Sequence, residues 1–283
     1  MTVAPSRPFA LEDELRRLAP EERGAAAAFL DAHPPGEGAP LAVVIPAFNE
    51  EPTVAGVVTE VPREAAGLAT EVIVVVDGAT DATASEAAAA GALVCYVSVN
   101  RGQGAALRLG YWLARARGAA VIATLDGDGQ YEPTELSRVV EPLVAGRADW
   151  VTGSRRLGTE LTTDSVRHAG VRVFAAVISL LIGQRITDPA CGLRAMRSEV
   201  AASVVLEQQQ YQASELMISA ALSGFRLAEV PTTMRDRGAG ATATKKGGNF
   251  GYGVRFARAV LRTWTRDRRA ARRRLRSEKT QNS

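Results

Sequence analysis

From position 41 to about 152 the chain alternates short apolar runs, turn residues and helical stretches, and this alternation confines it to an α/β fold. The most diagnostic run is Val72-Ile73-Val74-Val75-Val76, inside a predicted strand from Glu71 to Asp77, because an unbroken β-branched run suits a strand buried on both faces. Around it the pattern predicts strands over Leu41–Pro46, Leu93–Val97, Val121–Asp126 and Asp149–Thr152. Helices are expected from about Glu50 to Val61, Thr80 to Ala90, Gly104 to Arg117 and Pro133 to Ala145. Strand and helix in turn imply a mostly parallel sheet, helices on both faces, and a ligand at the carboxyl ends of the strands.

Residues 1 to 40 read as a helical N-terminal extension (Leu11 to Phe29) that ends in Pro34-Pro35-Gly36-Glu37-Gly38. Met1 to Arg17 carries proline and alternating charge where a secretion signal needs an apolar run. The best apolar stretch, Val173 to Gly183, falls short of the ~18 residues that a membrane span requires. Cys95 and Cys191 are far apart and share no ligand spacing, so two free thiols in a reducing compartment are expected, Cys95 in a strand core and Cys191 as a packing residue. A cytoplasmic protein follows, either soluble or peripheral on the inner face of the cell membrane.

Charge adds a second constraint. Of 34 basic and 31 acidic residues, ten arginines and one acid, Asp267, fall between Arg255 and Arg276, which leaves the rest of the chain net acidic. Such a distribution argues against a nucleic-acid sleeve, and no aromatic stacking platform accompanies the arginines. Within 248–283, Phe256, Ala257, Val260, Leu261 and Trp264 recur at helical spacing, with Arg255, Arg258 and Arg262 offset from them. Two readings stand: a basic amphipathic helix lying on an anionic membrane surface, or an apolar stripe packed on the body. The run Val171 to Gly183 is open in the same way, as a buried helix or as part of a membrane-facing surface; His168 just before it reads as a surface residue.

Three predicted strands end in polar or glycine-containing strings: Pro46-Ala47-Phe48-Asn49-Glu50, Asp77-Gly78-Ala79-Thr80-Asp81 and Asp126-Gly127-Asp128-Gly129-Gln130. In extended chain Asp126 and Asp128 would point the same way, and with the Gln130 amide they form an oxygen-only set suited to Mg²⁺ or Mn²⁺. An Asp-Gly turn is the competing reading. Between a strand and a helix lies Asn100-Arg101-Gly102-Gln103-Gly104-Ala105, a glycine-containing helix start that reads as a phosphate contact at Gly104 or as a tight turn. It lacks the third glycine of a dinucleotide fingerprint.

These strings, in order, resemble the family-2 inverting glycosyltransferases, and among them the polyprenyl-phosphate (dolichyl-phosphate) mannosyl- and glucosyltransferases. Further matches are Gly153-Ser154-Arg155, Asp188-Pro189-Ala190-Cys191-Gly192-Leu193-Arg194, Glu215 and Glu229-Val230-Pro231, so the likeness runs from about 41 to 247. The resemblance implies one catalytic domain over 41–247, a Rossmann-like nucleotide-sugar fold of the glycosyltransferase A type, with a divalent Mg²⁺ or Mn²⁺ and a GDP-mannose or UDP-hexose donor. By the same analogy Pro46, Ala47, Asn49, Glu50 and Asp77 hold the nucleoside, while Asp126, Asp128 and Gln130 hold the metal on the diphosphate. Arg155 would meet phosphate charge, and Asp188, Arg194 and Glu215 would line the sugar and acceptor side. Two departures stand out: Val76 occupies the place of the first of two family aspartates, and no C-terminal membrane span is present.

The acceptor decides the remaining chemistry. A hydroxyl acceptor needs a carboxylate base within reach, and Asp188 is the candidate, unless it serves only as a cap. A lipid monophosphate is already an anion and needs cationic guidance, for which Arg155, Arg156, Arg167, Arg235, Arg237, Lys245 and Lys246 are available. The first expectation is therefore a metal-dependent transferase with Asp128, Arg155 and Asp188 at its centre and a polyprenyl phosphate acceptor. The alternatives are the same chemistry on a soluble hydroxyl compound, and a non-catalytic nucleotide-binding or membrane-tethering module.

Overall fold

The computed structural model describes residues 10–160, 165–235 and 249–281, with side chains described for 10–159, 170–235, 251 and 253–273. Strands β1 (Leu41–Ala47), β3 (Leu68–Asp77), β4 (Leu93–Val97), β5 (Val121–Thr124), β6 (Trp150–Glu160), β7 (Arg194–Arg197) and β8 (Leu227–Met234) form one sheet in the order β4-β3-β1-β5-β7-β6-β8. A short β2 (Glu64–Ala65) pairs antiparallel with the start of β3. Pairing is parallel except at β2 and at β7, which runs antiparallel between β5 and β6. The sheet is thus mixed rather than purely wound, with the expected parallel half carrying β1, β3, β4 and β5.

Both faces are covered, which is why the central strands carry continuous apolar runs. Every residue of β1 is buried, as is Ile73 to Asp77 in β3. Helices α3 (Val54–Glu60), α4 (Thr83–Ala89) and α6 (Leu136–Val144) pack one face around Val43, Ile45, Val74 and Val76. On the other, α5 (Gln103–Ala116), α8 (Ser198–Ser203) and α9 (Gln212–Leu222) close over Val44, Val75, Ile122 and Trp150. Each large aliphatic buried this way contributes roughly 1.5–3 kcal/mol.

The N-terminal extension is two helices, not one: α1 (Leu11–Arg17) and α2 (Pro20–Ala32). Pro20 starts the second because its missing N–H costs nothing at a first helical turn. Both dock on the body: the Trp112 indole N–H donates to the Leu11 carbonyl at 2.9 Å, Arg115 pairs with Glu14, and Phe29 is buried.

Helix α7 (Ser165–Ile182) and the long α10 (Asn249–Gln281) pack against each other, with the Phe174 and Phe256 rings 4.0 Å apart. Phe256, Ala259, Val260 and Thr263 are buried, the Trp264 N–H donates to the Leu181 carbonyl, and Arg266 reaches Glu215 and Glu207. Of the two readings of the tail, its apolar stripe packs on the body. What remains outward is Leu261 with Val254 on α10 and Val173, Val177 and Leu180 on α7.

Candidate active site

Three loops meet where β1, β3 and β5 end. At the end of β1, Pro46 and Ala47 lie beside Val75 and Val76 of β3. Asn49 takes a left-handed backbone (φ 53°), which lets its side-chain oxygen accept the Thr80 N–H at 2.9 Å. Glu50 donates its own N–H to the Thr83 hydroxyl at 2.8 Å, and the Thr53 hydroxyl donates to the Gly127 carbonyl at 2.8 Å. The β1, β3 and β5 loops are therefore laced together by short polar side chains, leaving little freedom at the sheet edge.

Asp77 ends β3 almost fully buried, and its carboxylate accepts the backbone N–H groups of Arg101 and Gly102. Burial pushes its pKa above the ordinary value, against the pull of those two amides. Gly78 follows at φ 70°, where a Cβ would lie 2.3 Å from the Asn100 nitrogen, so only glycine lets the two loops close. Asp77 thus fixes the loop that starts α5.

The glycine-containing start of α5 is not open to a phosphate at Gly104. Its N–H donates to the Gln209 carbonyl, and a Cβ there would lie 2.1 Å from the Gln208 carbonyl oxygen. Gly104 is small because the 204–211 segment crosses it, which corrects the ligand reading. The neighbouring residue carries more. Gln103, at the first turn, donates its side-chain amide to Asp126 Oδ1 at 3.0 Å. Sequence reasoning weighed only the glycines of this loop; the signal was an amide side chain at a helix start opposite an acidic strand end.

β5 stops at Thr124, two residues earlier than expected, and Gly127 to Gly129 turn back. The turn, not strand alternation, therefore sets how Asp126 and Asp128 relate. Asp126 is half-buried and lies against Gly192, where a Cβ would come within 2.1 Å of its Oδ2. Asp128 is buried and accepts the Gln130 N–H at 3.1 Å. The Gln130 carbonyl accepts the Arg235 N–H, tying this turn to the end of β8. Among the described residues no third carboxylate, histidine or cysteine joins the pair. An oxygen-only donor set of that size fits a hard divalent cation that completes its shell with phosphate oxygens and water.

Asp188 and Arg155 have found each other. Asp188 Oδ2 accepts from Arg155 Nε at 2.6 Å and from the Arg155 N–H at 3.1 Å; Oδ1 accepts from Nη2 at 2.7 Å and from the Ala190 N–H at 3.2 Å. Both side chains are buried. Asp188 is therefore no open base in this arrangement, and Arg155 spends its charge on it rather than on a phosphate. The carboxylate holds the guanidinium firmly protonated, against the burial penalty. Glu229 secures the same corner by accepting the Thr187 and Asp188 N–H groups.

Glu215, expected on the acceptor side, accepts the N–H groups of Glu207 and Gln208 and pairs with Arg266. Its role in the structure is to hold the 204–211 segment and α10 to α9. Arg156 is exposed, and Arg235 pairs with Glu132 and, more distantly, Glu60. The side chains of Arg167 and His168, and residues Arg237, Lys245 and Lys246, lie outside the described residues. Cys95 and Cys191 are buried, unpaired thiols pushed up by burial, Cys95 to about 12, which suits packing rather than nucleophilic chemistry.

Residues 42–204 match the family model described as Glycosyl transferase family 2. A dolichyl-phosphate hexose transferase of Haloferax volcanii is 30% identical over 228 residues, covering 81% of this chain and 95% of that protein. A polyprenol monophosphomannose synthase of Mycolicibacterium smegmatis is 31% identical over 207 residues, covering 69% of this chain and 77% of that protein. Among solved structures, glucosyl-3-phosphoglycerate synthase from Mycobacterium tuberculosis, in complex with Mn²⁺ and UDP-glucose, superposes with a TM-score of 0.60. At 23% identity, over 85% of this chain and 82% of that one, the likeness is one of fold, the glycosyltransferase A type.

Proposed function

The chain belongs to glycosyltransferase family 2, and from that premise we propose that it moves a hexose from a nucleotide-sugar to a polyprenyl phosphate. The observation that carries this reading is that Asp188, the candidate base, and the carboxylates of Glu215 and Glu229 are already committed to partners within the chain. Asp188 accepts four hydrogen bonds, while Glu215 and Glu229 each accept backbone N–H groups through both oxygens. A hydroxyl acceptor must lose a proton to a nearby base, and the candidate base is committed to Arg155. A phosphate monoester acceptor is already a nucleophilic anion near neutral pH and asks for no base. The two relatives named for dolichyl phosphate and polyprenol monophosphomannose support the same acceptor class.

In this account Asp126 and Asp128, with the Gln130 side chain, hold Mg²⁺ or Mn²⁺, which supplies electrostatic stabilisation of the departing diphosphate. Gln103 orients Asp126 by its 3.0 Å hydrogen bond. Pro46, Ala47, Asn49, Glu50 and Asp77 shape the nucleoside end, with Asp77 acting through the 100–102 loop that it holds.

A lipid acceptor must be met at a membrane surface. No helix among the described residues is long and apolar enough to cross one. Instead Val173, Val177 and Leu180 form an exposed stripe on α7, and Val254 and Leu261 another on α10; Arg172, Arg185, Arg255, Arg258 and Arg262 are exposed on or beside the same helices. Apolar residues set among arginines suit peripheral contact with an anionic bilayer. This contact uses the outward side of α10, its inward side being packed.

The test is a melting-temperature panel of GDP- and UDP-hexoses, each with and without Mn²⁺ or Mg²⁺. Binding only to the folded state stabilises by about 2.7 kcal/mol at a hundredfold excess over Kd. One donor giving a metal-dependent rise is the expected result. No shift with any saturating donor and metal would contradict the proposal.

A further inference from the structure

Three arginines are buried among the described residues: Arg117, Arg155 and Arg194. Arg117 pairs with Glu71 and Arg155 with Asp188. Arg194 is 4% exposed, yet its Nε and Nη1 have no hydrogen-bond partner among the described residues. A guanidinium cannot shed its proton to escape such a place. A buried, unpaired charge is strongly unfavourable and persists only where something else supplies the counter-charge.

Its position says what that something is. Arg194 opens β7 opposite Thr124, the last residue of β5, and Asp126 follows two residues on. Leu193 and Ala195 belong to the core beneath α6, and Met196 to the core beneath α5. Alternation therefore assigns Arg194 to the α5 side. Thr124 is on that side too, its hydroxyl 3.0 Å from the Tyr111 hydroxyl of α5. At the same edge Gln103 begins α5 and reaches Asp126, and Gly192, two residues before Arg194, abuts the Asp126 carboxylate. The missing counter-charge is thus wanted at the strand edge where substrate phosphates are expected.

We infer that Arg194 is the buried anion anchor of the transfer site, pairing with a phosphoryl oxygen of a bound substrate. This rests on the proposed reading that the site takes phosphate-bearing substrates, and it narrows the expectation for Arg194, the sugar and acceptor side, to a phosphate. The phosphoryl group has two sources, the donor's diphosphate and a phosphate-monoester acceptor.

The experiment compares full-length wild type with Arg194→Met and Arg194→Lys. Melting is measured without ligand, with UDP or GDP plus Mn²⁺, and with geranyl phosphate. The ligand-free Arg194→Met protein is expected to melt at or above wild type, because an uncompensated charge is gone, while its affinity for one phosphate probe falls at least tenfold. Arg194→Lys retains the charge without the fork and is expected to fall between the two in affinity. Loss in the nucleotide arm assigns the anchor to the donor; loss in the geranyl phosphate arm assigns it to the acceptor. A ligand-free melting point below wild type makes Arg194 a packing residue and overturns the inference, as does wild-type affinity of Arg194→Met for every probe. If wild type itself ignores all the phosphate probes, the proposed function fails with it; if wild type binds them and Arg194→Met binds equally, only the anchor fails.

Discussion

Arg155 and Asp188, 33 positions apart, meet in a two-point ion pair with Nε on Oδ2 at 2.6 Å and Nη2 on Oδ1 at 2.7 Å. The pair joins β6 to the loop before β7, and neither side chain is open to solvent. Removing one partner strands the other's charge in the interior. Asp188→Asn should therefore destabilise the fold by about 3–5 kcal/mol, read by urea unfolding. A variant of unchanged stability but abolished turnover would instead restore Asp188 as a base.

At Asp126 and Asp128, the proposed metal ligands, the expectation reverses. Asp128→Ala removes the hydrogen bond to the Gln130 N–H, worth about 1 kcal/mol, and the loss in folding stability should stay well below the loss in transfer. Transfer should drop by roughly 10²–10³-fold or more, since the stabilised diphosphate loses its counter-charge. Steady-state kinetics across a Mn²⁺ titration, beside a melting curve, checks both halves.

Gly192→Ala probes the same carboxylate from the other side. The added methyl would sit 2.1 Å from Asp126 Oδ2, and only displacement of Asp126 or of the chain relieves it. A rise of at least tenfold in the Mn²⁺ concentration needed for half-maximal activity is expected. An unchanged metal requirement would mean that Asp126 is not where the metal is held.

The parallel half of the sheet was legible because its strands are runs of Val and Ile between turn residues. Of the other half only the start of β6 was, as the strand expected over Asp149–Thr152. β7 begins and ends in arginine and carries no apolar run; it is a strand because β5 and β6 pair with it on both sides. β8 contains Pro231, tolerated because β8 is an edge strand of the sheet. The resemblance pointed to the right strings within the site, but not to how their side chains are spent. That Asp188 is paired and Gly104 covered depends on partners 33 and about 105 positions away, a distance over which spacing carries no signal. The orphaned charge of Arg194 emerged only from geometry, and the hydrogen bond from Gln103 to Asp126 turned a weak sequence signal into a contact.

The exposed stripe of α7 predicts membrane contact without a role in folding. Leu180 is 84% and Val177 42% exposed, so Leu180→Asp with Val177→Asp should alter stability by no more than about 0.5 kcal/mol per site. Co-sedimentation with phosphatidylglycerol vesicles should fall severalfold, and transfer to a vesicle-borne acceptor with it. Equal sedimentation of wild type and double variant would remove the stripe from the account.

A pH prediction concerns Asp149, which Arg226 holds below the usual carboxylate range by side-chain hydrogen bonds that clamp the starts of β6 and β8. For an acid whose folded pKa is depressed, the stabilisation is complete above the unfolded pKa of ~3.9 and lost as pH falls through the folded value. Asp149→Asn should therefore melt below wild type at pH 7, and the gap should close as pH falls through the depressed folded pKa of Asp149. A gap independent of pH would assign the loss to packing.

The central claim is transfer to a phosphate acceptor that needs no base. The most direct measurement incubates the protein with radiolabelled GDP-mannose, UDP-glucose or another hexose donor, Mn²⁺, and either geranyl phosphate or its dephosphorylated alcohol. The account predicts metal-dependent label in the hexosyl phosphate lipid and none with the alcohol. Transfer to the alcohol, or to a water-soluble hydroxyl compound while geranyl phosphate stays unlabelled, would contradict it.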